Sequence, residues 1–258
     1  MDFETLSAAI DEGIGRLTLN RPEKLNPLGI EALEEIIEAT RWFDQHRVAV
    51  VIVTGAGDRA FSAGFDLRDF AKNSASDSPS GADSGRRMAQ AVEDMDAVTI
   101  AAVHGHCIGG AVVLTAACDL RLAASNTVFS IPEVDLGIPL AWGGIPRLTR
   151  EIGPAMTREL VMTCRPFTAD EAKSMGFINR VVGREQLVEE ANSLARSILQ
   201  RPQSIIRMTK KQVQAATEEL VSTQKAWIGD ELIKASGKDK EAQEATQQYL
   251  AGKNDDTS

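Results

Sequence analysis

The sequence predicts an α/β protein with strands before about residue 143 and helices after it. Two runs, residues 48–54 and 98–103, are rich in β-branched side chains and apolar almost throughout, as expected of strands covered on both faces. After about residue 143, apolar residues recur at helical spacing instead. The 258 residues suffice for one substantial core, so one main domain with a helical extension is expected.

Hydrophobic periodicity predicts the remaining elements. A short strand over residues 14–19 ends at Asn20-Arg21-Pro22, where a turn is expected. An amphipathic helix follows over residues 29–43, and a helix that begins near Gly109 is apolar on nearly all sides and should be buried. The other expected elements are short strands at residues 118–123 and 127–130, helices at 154–162, 169–174, 184–199 and 202–217, and a long polar stretch over 218–250.

Two segments have the composition of loops. Residues 72–87 are rich in Ser, Asp, Gly and Ala and offer little to bury, which indicates a solvated insertion, either a mobile loop or a ragged helix start. A substrate gate is the alternative, because a glycine-bearing segment lies just before it. Residues 254–258 are expected to form a disordered tail.

Charge and cysteine usage limit the class of protein. The formal net charge of −9 and the pI near 5.0 argue against broad attraction to nucleic acid or to an anionic membrane. The first twenty residues lack the apolar core of a signal peptide, and no apolar run has transmembrane length. Cys107, Cys118 and Cys164 are odd in number and lack metal-ligand spacing, which favours reduced thiols, no metal site and a cytoplasmic location.

The most informative segments are two glycine-bearing stretches, residues 61–67 and 105–110, each of which follows a strand-like run. Glycine lets the backbone approach a ligand closely, and a helix N-terminus presents N–H groups without partners. Gly110 is placed to supply such a donor, while Gly64 permits a sharp turn that aims the Phe65 N–H the same way. A single glycine after a strand more often only forms a turn. Two such segments together predict an oxyanion hole.

Seven segments, in chain order, carry a closer resemblance: residues 20–26, 61–67, 101–110, 118–121, 131–148, 169–172 and 176–182. Together they closely resemble the enoyl-CoA hydratase/isomerase (crotonase) superfamily over nearly the whole chain. The resemblance implies a spiral of ββα units over residues 1–195, a helical region over residues 196–258, and assembly into trimers or hexamers. It also implies fatty-acid metabolism as the setting.

The resemblance further implies acyl-CoA thioesters as substrates, with no cofactor beyond the coenzyme A that they carry. The thioester oxygen would be held by the N–H groups of Phe65 and Gly110. The cavity walls are expected from residues 72–92, Leu140, Ala141 and the C-terminal helices. Residues implied in binding adenine, pantetheine or the CoA phosphates are Lys24, Leu25, Ala63, Asp66, Leu67 and Arg68, of which Lys24 and Arg68 would otherwise be ordinary surface charges.

One of two expected carboxylates is missing. Hydratases of this family resemble one another in having one glutamate three residues after the second oxyanion-hole glycine, where this chain has Val113, and another at the position of Glu133. A lone buried glutamate suits removal of an α-proton and its return to another carbon. Burial near Ile131, Ile138 and Trp142 would raise its pKa towards neutrality. The pattern resembles the family's isomerases, which convert 3-enoyl-CoA to 2-enoyl-CoA.

Three alternatives stay open at this point. A hydratase would need a second polar group, either Asp135, which on a strand would face the same way as Glu133, or His106. A non-catalytic acyl-CoA-binding protein would fit the loss of one carboxylate but not the retention of Glu133. A peptidase would need an activated serine, and neither Ser62 nor Ser130 lies in a motif that would activate it.

Overall fold

The computed structural model describes residues 3–66, 69 and 81–255, with side chains up to residue 252. Leu67 and Arg68, which the resemblance implies in CoA binding, therefore lie outside the described residues. So do residues 72–80 of the expected loop and residues 256–258 of the expected tail.

From β3 to β8, successive strands alternate between two sheets. The larger sheet has the order β1-β2-β3-β5-β7-β10, and the smaller has β4-β6-β8-β9. Pairs are parallel except β1–β2 and β8–β9. The strands are β1 Leu6–Asp11, β2 Ile14–Leu19, β3 Val50–Gly55, β4 Ala60–Ser62, β5 Val98–Val103, β6 His106–Ile108, β7 Leu120–Ala124, β8 Val128–Ser130, β9 Phe167–Thr168 and β10 Arg180–Val182.

A helix follows each of the central strand pairs, so the chain winds as ββα units. β3 and β4 precede α2, β5 and β6 precede α3, and β7 and β8 precede α4. The expectation of a ββα spiral with a helical C-terminal region agrees with this order. The helices are α1 Ile30–Gln45, α2 Gly81–Asp94, α3 Gly110–Ala117, α4 Gly144–Thr163, α5 Ala169–Ser174, α6 Leu187–Leu199, α7 Gln203–Leu220, α8 Trp227–Ser236 and α9 Lys240–Asp255, with short 3-10 helices at Pro22–Lys24 and Arg184–Gln186.

The larger sheet has a buried core on each face, which explains why β3 and β5 are apolar almost throughout. One face packs on the main core, which includes Leu33, Phe43 and Phe129. The other face packs on a smaller cluster to which α6 contributes Leu187 and Ala191. All eight residues of α3 are buried, as its apolar sequence predicts.

Of the two forms expected for residues 72–87, a mobile loop or a ragged helix start, residues 81–87 adopt the second. They form the first half of α2, in which the small residues Gly81, Ala82, Ser84 and Gly85 are buried. A Cβ atom on Gly81 would lie 2.3 Å from Cζ of Phe65, and one on Gly85 would lie 2.0 Å from Cε2 of Trp142. The glycines therefore let α2 approach both aromatic rings.

Other boundaries also differ from expectation. The helix predicted from residue 154 begins at Gly144 and continues through a kink at Gly153, where φ is +74°. Residues 254 and 255 end α9, so the tail prediction is wrong for these two residues, where the helix simply continues. The division of the chain at residue 195 stays a prediction, and α6 spans that position. No helix within the described ranges has both the length and the apolarity of a membrane span.

An ion pair between a buried lysine and a partly buried aspartate joins the helical region to the larger sheet. Asp119, just before β7, accepts hydrogen bonds from Thr99 N at 2.8 Å and from Lys210 Nζ at 2.8 Å. Lys210, in α7, also donates to the carbonyl of Ala97 at 2.8 Å. Its side chain is only 6% exposed, so its charge depends on these partners for solvation.

We expect Lys210→Met to lower the free energy of unfolding by about 1–3 kcal/mol, because it removes two hydrogen bonds and leaves Asp119 without its cation. Urea denaturation measures the loss. Lys211→Met is the matched control, because Lys211 is 71% exposed and its partner Asp96 is 3.4 Å away. An equal effect of the two substitutions would contradict the assigned role of Lys210.

Candidate active site

A large cavity lies between the ββα core and the last two helices. Its volume is about 1420 Å³, above the roughly 300–1000 Å³ common for small-ligand pockets, so an extended ligand fits. Phe65, Gly110, Val113 and Glu133 all line it. The remaining walls come from residues 81–83 and 86 of α2, residues 137–142, α8 and α9. The expected contributions of Leu140, Ala141 and the C-terminal helices are confirmed.

The two glycine-bearing segments meet backbone to backbone beside this cavity. They lie side by side because β4 and β6 are parallel neighbours. Gly64 has a φ of +83°, and a Cβ atom there would lie 2.4 Å from the carbonyl oxygen of Ile108 and 3.5 Å from the nitrogen of Gly110. Only glycine permits both this conformation and this approach. Phe65 and Gly110 are thereby brought to one edge of the cavity.

The N–H groups of Phe65 and Gly110 have no hydrogen-bond partner among the described residues. Gly110 is the first residue of α3, so its N–H belongs to the positive end of the helix dipole. Trp142 packs on both residues. A Cβ atom on Gly110 would lie 2.3 Å from Cζ3 of Trp142, and the Phe65 ring meets that indole edge-on at 5.7 Å. The two donors suit a carbonyl oxygen that gains negative charge.

The Glu133 carboxyl lies against the N-terminus of α3. A Cβ atom on Gly109, whose φ is +54°, would lie 2.6 Å from Oε1 of Glu133. Oε2 is buried and has no hydrogen-bond partner in the described structure. Burial raises the pKa of Glu133 to about 7, opposed only by a bond from its own backbone N–H. The expected rise towards neutrality agrees with this environment, in which Ile131 and Trp142 are buried.

Helix α9 covers the turn that holds Glu133. Thr246 Oγ1 donates to the carbonyl of Leu136 at 2.7 Å, and a Cβ atom on Gly137 would lie 2.2 Å from the carbonyl oxygen of Ala242. Tyr249 of α9 is also near. Burial is the main cause that raises the pKa of the Tyr249 phenol, and the charge of Glu133 is the next. The C-terminal helix thus encloses the carboxyl.

None of the three positions considered for a second polar group, residues 106, 113 and 135, places one beside Glu133. Val113, one turn after Gly110, is buried and apolar. The expectation that Asp135 shares a strand face with Glu133 is wrong, because residues 132–137 form turns and Asp135 is exposed. His106 is also exposed and is not among the residues that line the cavity.

Four of the residues expected to bind coenzyme A lie in two segments that a hydrogen bond joins, and Phe65 belongs to one of these segments. Lys24 is exposed at the end of a 3-10 helix, and Leu25 follows it in the left-handed conformation with a φ of +65°. The Ala63 N–H donates to the carbonyl of Leu25 at 2.8 Å, which joins the two segments. Ala63 and Asp66 are half-buried. Four of the six residues are thus close in the chain or in space, and the other two are outside the described residues.

Sequence reasoning missed a second polar group in the cavity, formed by Asp83, Arg86 and Asp230. Arg86, in α2, donates to Asp230, in α8, across 144 positions of sequence at 2.8 Å. No local pattern joins residues so far apart, and the only sequence signal is an acid directly after the apolar run Trp227-Ile228-Gly229. Within residues 3–66, 69 and 81–255, no group of three His, Cys, Asp or Glu side chains is arranged to hold a metal ion.

The buried carboxyl of Glu133 predicts a pH-dependent stability. Its pKa is about 7 in the folded protein against an ordinary 4.5, so the folded state binds the proton more tightly and loses stability as pH rises to about 7. We therefore compare the free energy of unfolding of Glu133→Gln with that of the wild type. The difference should shift in favour of Glu133→Gln by about 2 kcal/mol when the pH is raised from about 5 to about 8. Urea denaturation at both pH values measures this. Glu219→Gln, at an exposed site in α7, should show no such change, and a constant difference for Glu133→Gln would contradict the burial.

Comparison with known proteins agrees with these features. The enoyl-CoA hydratase/isomerase family matches residues 9–255. A crotonyl-CoA hydratase of Syntrophomonas wolfei is 37% identical over 81% of each chain, and a carnitinyl-CoA dehydratase of Salmonella typhi is 35% identical over 83% of this chain and 82% of its own. A crystal structure of an enoyl-CoA hydratase/isomerase from Xanthobacter autotrophicus has a TM-score of 0.80 at 31% identity, covering 91% of this chain and 88% of its own. The resemblance and the fold expected from it are confirmed, and the chain belongs to the enoyl-CoA hydratase/isomerase family, whose enzymes act on acyl-CoA.

Proposed function

We propose that the protein isomerises 3-enoyl-CoA to 2-enoyl-CoA, with Glu133 as the group that moves the proton. The observation that carries this proposal is the Glu133 carboxyl, buried without a partner for Oε2 and placed beside the unpaired N–H of Gly110. Val113 lines the same cavity where a second carboxylate would be needed to hold water. One proton carrier and two N–H donors are what a double-bond shift requires.

The chemistry follows from these groups. The thioester oxygen accepts hydrogen bonds from the N–H groups of Phe65 and Gly110, which lowers the energy of the enolate. Glu133 takes a proton from C2, and the electron pair of that C–H bond forms a C1–C2 double bond while the carbonyl electrons move onto the thioester oxygen. When the carbonyl re-forms, the C1–C2 electrons form the C2–C3 double bond, and the electrons of the old C3–C4 double bond take the proton from Glu133 at C4. A pKa of about 7 lets one carboxyl act as base and then as acid near neutral pH.

We assign the coenzyme A moiety to the neighbouring cluster. Lys24, Leu25, Ala63 and Asp66 adjoin Phe65, and the hydrogen bond from Ala63 to Leu25 fixes the two segments together. Leu67 and Arg68 complete the assignment by resemblance alone. In this arrangement the adenine and pantetheine lie outside the main cavity, and the acyl chain enters it past Phe65.

Hydration is the second candidate. Two relatives are named as a hydratase and a dehydratase, which favours addition or removal of water. That reaction needs a second group to orient the water, and neither Asp135 nor His106 lines the cavity. Burial of the Glu133 carboxyl without a partner for Oε2 is unfavourable, and binding of acyl-CoA alone does not require it. This speaks against a protein that only binds acyl-CoA.

Three further expectations are part of this proposal: assembly into trimers or hexamers, a cytoplasmic location, and no resident cofactor beyond the coenzyme A of the substrate. They follow from the sequence and the family resemblance. Fatty-acid metabolism is the setting that we infer in the same way.

We expect Glu133→Gln to lower kcat/KM for 3-enoyl-CoA at least about hundredfold, because general acid–base catalysis contributes about 10²–10⁴. Binding of saturated acyl-CoA should be retained. For the wild type, kcat/KM should rise about tenfold per pH unit below the pKa of about 7 and level off above it, since only the carboxylate takes the proton. Spectrophotometric assays across pH measure both; full activity in Glu133→Gln would disprove the mechanism.

Val113→Glu tests the missing carboxylate. We expect the wild type to hydrate 2-enoyl-CoA much more slowly than it isomerises 3-enoyl-CoA, and Val113→Glu to hydrate faster than the wild type. Val113→Gln is the matched control, because it has the same size without the carboxylate. Val113 is buried, so circular dichroism and acyl-CoA binding should first establish that both variants fold. Rapid hydration by the wild type would instead favour the hydratase.

A further inference from the structure

The acyl cavity contains a polar cluster that the proposed chemistry does not use. Asp83, Arg86 and Asp230 all line the cavity. Arg86 Nε donates to Oδ2 of Asp230 at 2.8 Å, and Arg86 also forms an ion pair with Asp83. A cavity that received only alkyl chains would gain nothing from charged groups in its wall, because their desolvation is unfavourable. The cluster therefore favours a ligand that has a polar group at this position.

Asp230 has an oxygen with no partner in the described structure. The residue is 7% exposed, and Oδ1 is buried without a hydrogen bond while Oδ2 takes the bond from Arg86. Burial is the first cause that raises the pKa of Asp230, and the bond from Arg86 opposes it. A buried acceptor without a donor is destabilising. A donor on the ligand would remove that penalty.

The cluster is held in place from both sides. A Cβ atom on Gly229 would lie 3.2 Å from Cα of Ala141, so the glycine lets α8 approach the cavity wall. On the other side, Arg87 donates to Asp83 at 3.0 Å and also pairs with Glu34 of α1. The orientation of Asp230 is thus set by packing and by a network, unlike that of an exposed ion pair.

The charges around Oδ1 favour a donor over an acceptor. The network joins three carboxylates, Asp83, Asp230 and Glu34, to two guanidiniums, Arg86 and Arg87. Of the cavity-lining lysines, Lys234 pairs with Glu231 at 2.7 Å and Lys238 is exposed, as is Lys234 itself. A carboxylate on the ligand would meet this excess negative charge, whereas a hydroxyl or an ammonium group would complement it.

We propose that the protein acts on acyl-CoA thioesters whose acyl chain carries a hydrogen-bond donor, a hydroxyl or ammonium group, that donates to Oδ1 of Asp230. This inference rests on the proposed function, since it places the acyl chain of the substrate in this cavity. Arg86 orients Asp230, and Asp83 keeps Arg86 in place. Glu133 and the two N–H donors would act at the thioester end of the same ligand.

Saturated acyl-CoA thioesters test this without any turnover. For each chain length, three ligands are compared: one with a terminal hydroxyl, one with a terminal ammonium, and one with a methyl group in its place. We expect the wild type to bind a donor-bearing ligand of the best length about tenfold more tightly than its methyl counterpart, measured by calorimetry. The hydroxyl and ammonium arms identify which donor is preferred.

Asp230→Leu should abolish this preference while binding of the methyl ligand is kept or improved. Because Arg86 would lose a partner, the double variant Arg86→Met/Asp230→Leu is tested beside it and should give the same result. Glu219→Leu, an equal change at an exposed site in α7, should keep the wild-type preference. Retention of the preference in both Asp230 variants would overturn the assignment.

The two levels of the proposal fail differently. Tight binding of acyl-CoA by the wild type with the methyl ligand preferred at every length would overturn the inference about the donor and leave the isomerase proposal intact. Failure of every acyl-CoA to bind would overturn the proposed function itself. Tight, donor-selective binding without isomerisation would support the inference and contradict only the reaction.

Discussion

The site depends on one backbone contact, between Gly64 and the segment from Ile108 to Gly110. A side chain at residue 64 would reach within 2.4 Å of the Ile108 carbonyl oxygen, so any other residue would separate the two segments. The contact exists because the strands from β3 to β8 alternate between two sheets, which makes β4 and β6 neighbours. The strand alternation, the glycine and the start of α3 act together. Without the first two, the N–H groups of Phe65 and Gly110 would not reach one cavity.

The acidity of Glu133 is a property of the enclosure around it rather than of charged neighbours. Burial alone accounts for the raised pKa, and the enclosure is assembled from parts far apart in the chain. The N-terminus of α3 contacts one oxygen, Trp142 is buried nearby, and α9 packs over the turn. The last helix is therefore part of the chemistry, although its sequence is polar and unremarkable in pattern.

Much of the fold and of the oxyanion edge could be predicted because local sequence encodes them. Apolar runs predict the covered strands, and glycines after strands predict close backbone approaches. Gly81 and Gly85 show where this fails: their composition is that of a loop, and only the rings of Phe65 and Trp142, distant in sequence, explain them. Asp230 was missed for the same reason. Its meaning depends on Arg86 in another helix, and no local pattern records that pairing.

Trp142 has a consequence for how this enzyme could diversify. Its indole contacts the helix start at Gly110, the helix α2 at Gly85 and the ring of Phe65. A smaller residue there would widen the cavity and at the same time release both segments that carry the N–H donors. Substrate range and catalytic power are therefore coupled at this residue. Adaptation to new acyl groups with turnover preserved would have to proceed through α8, which lines the cavity without contacting the turn of Glu133.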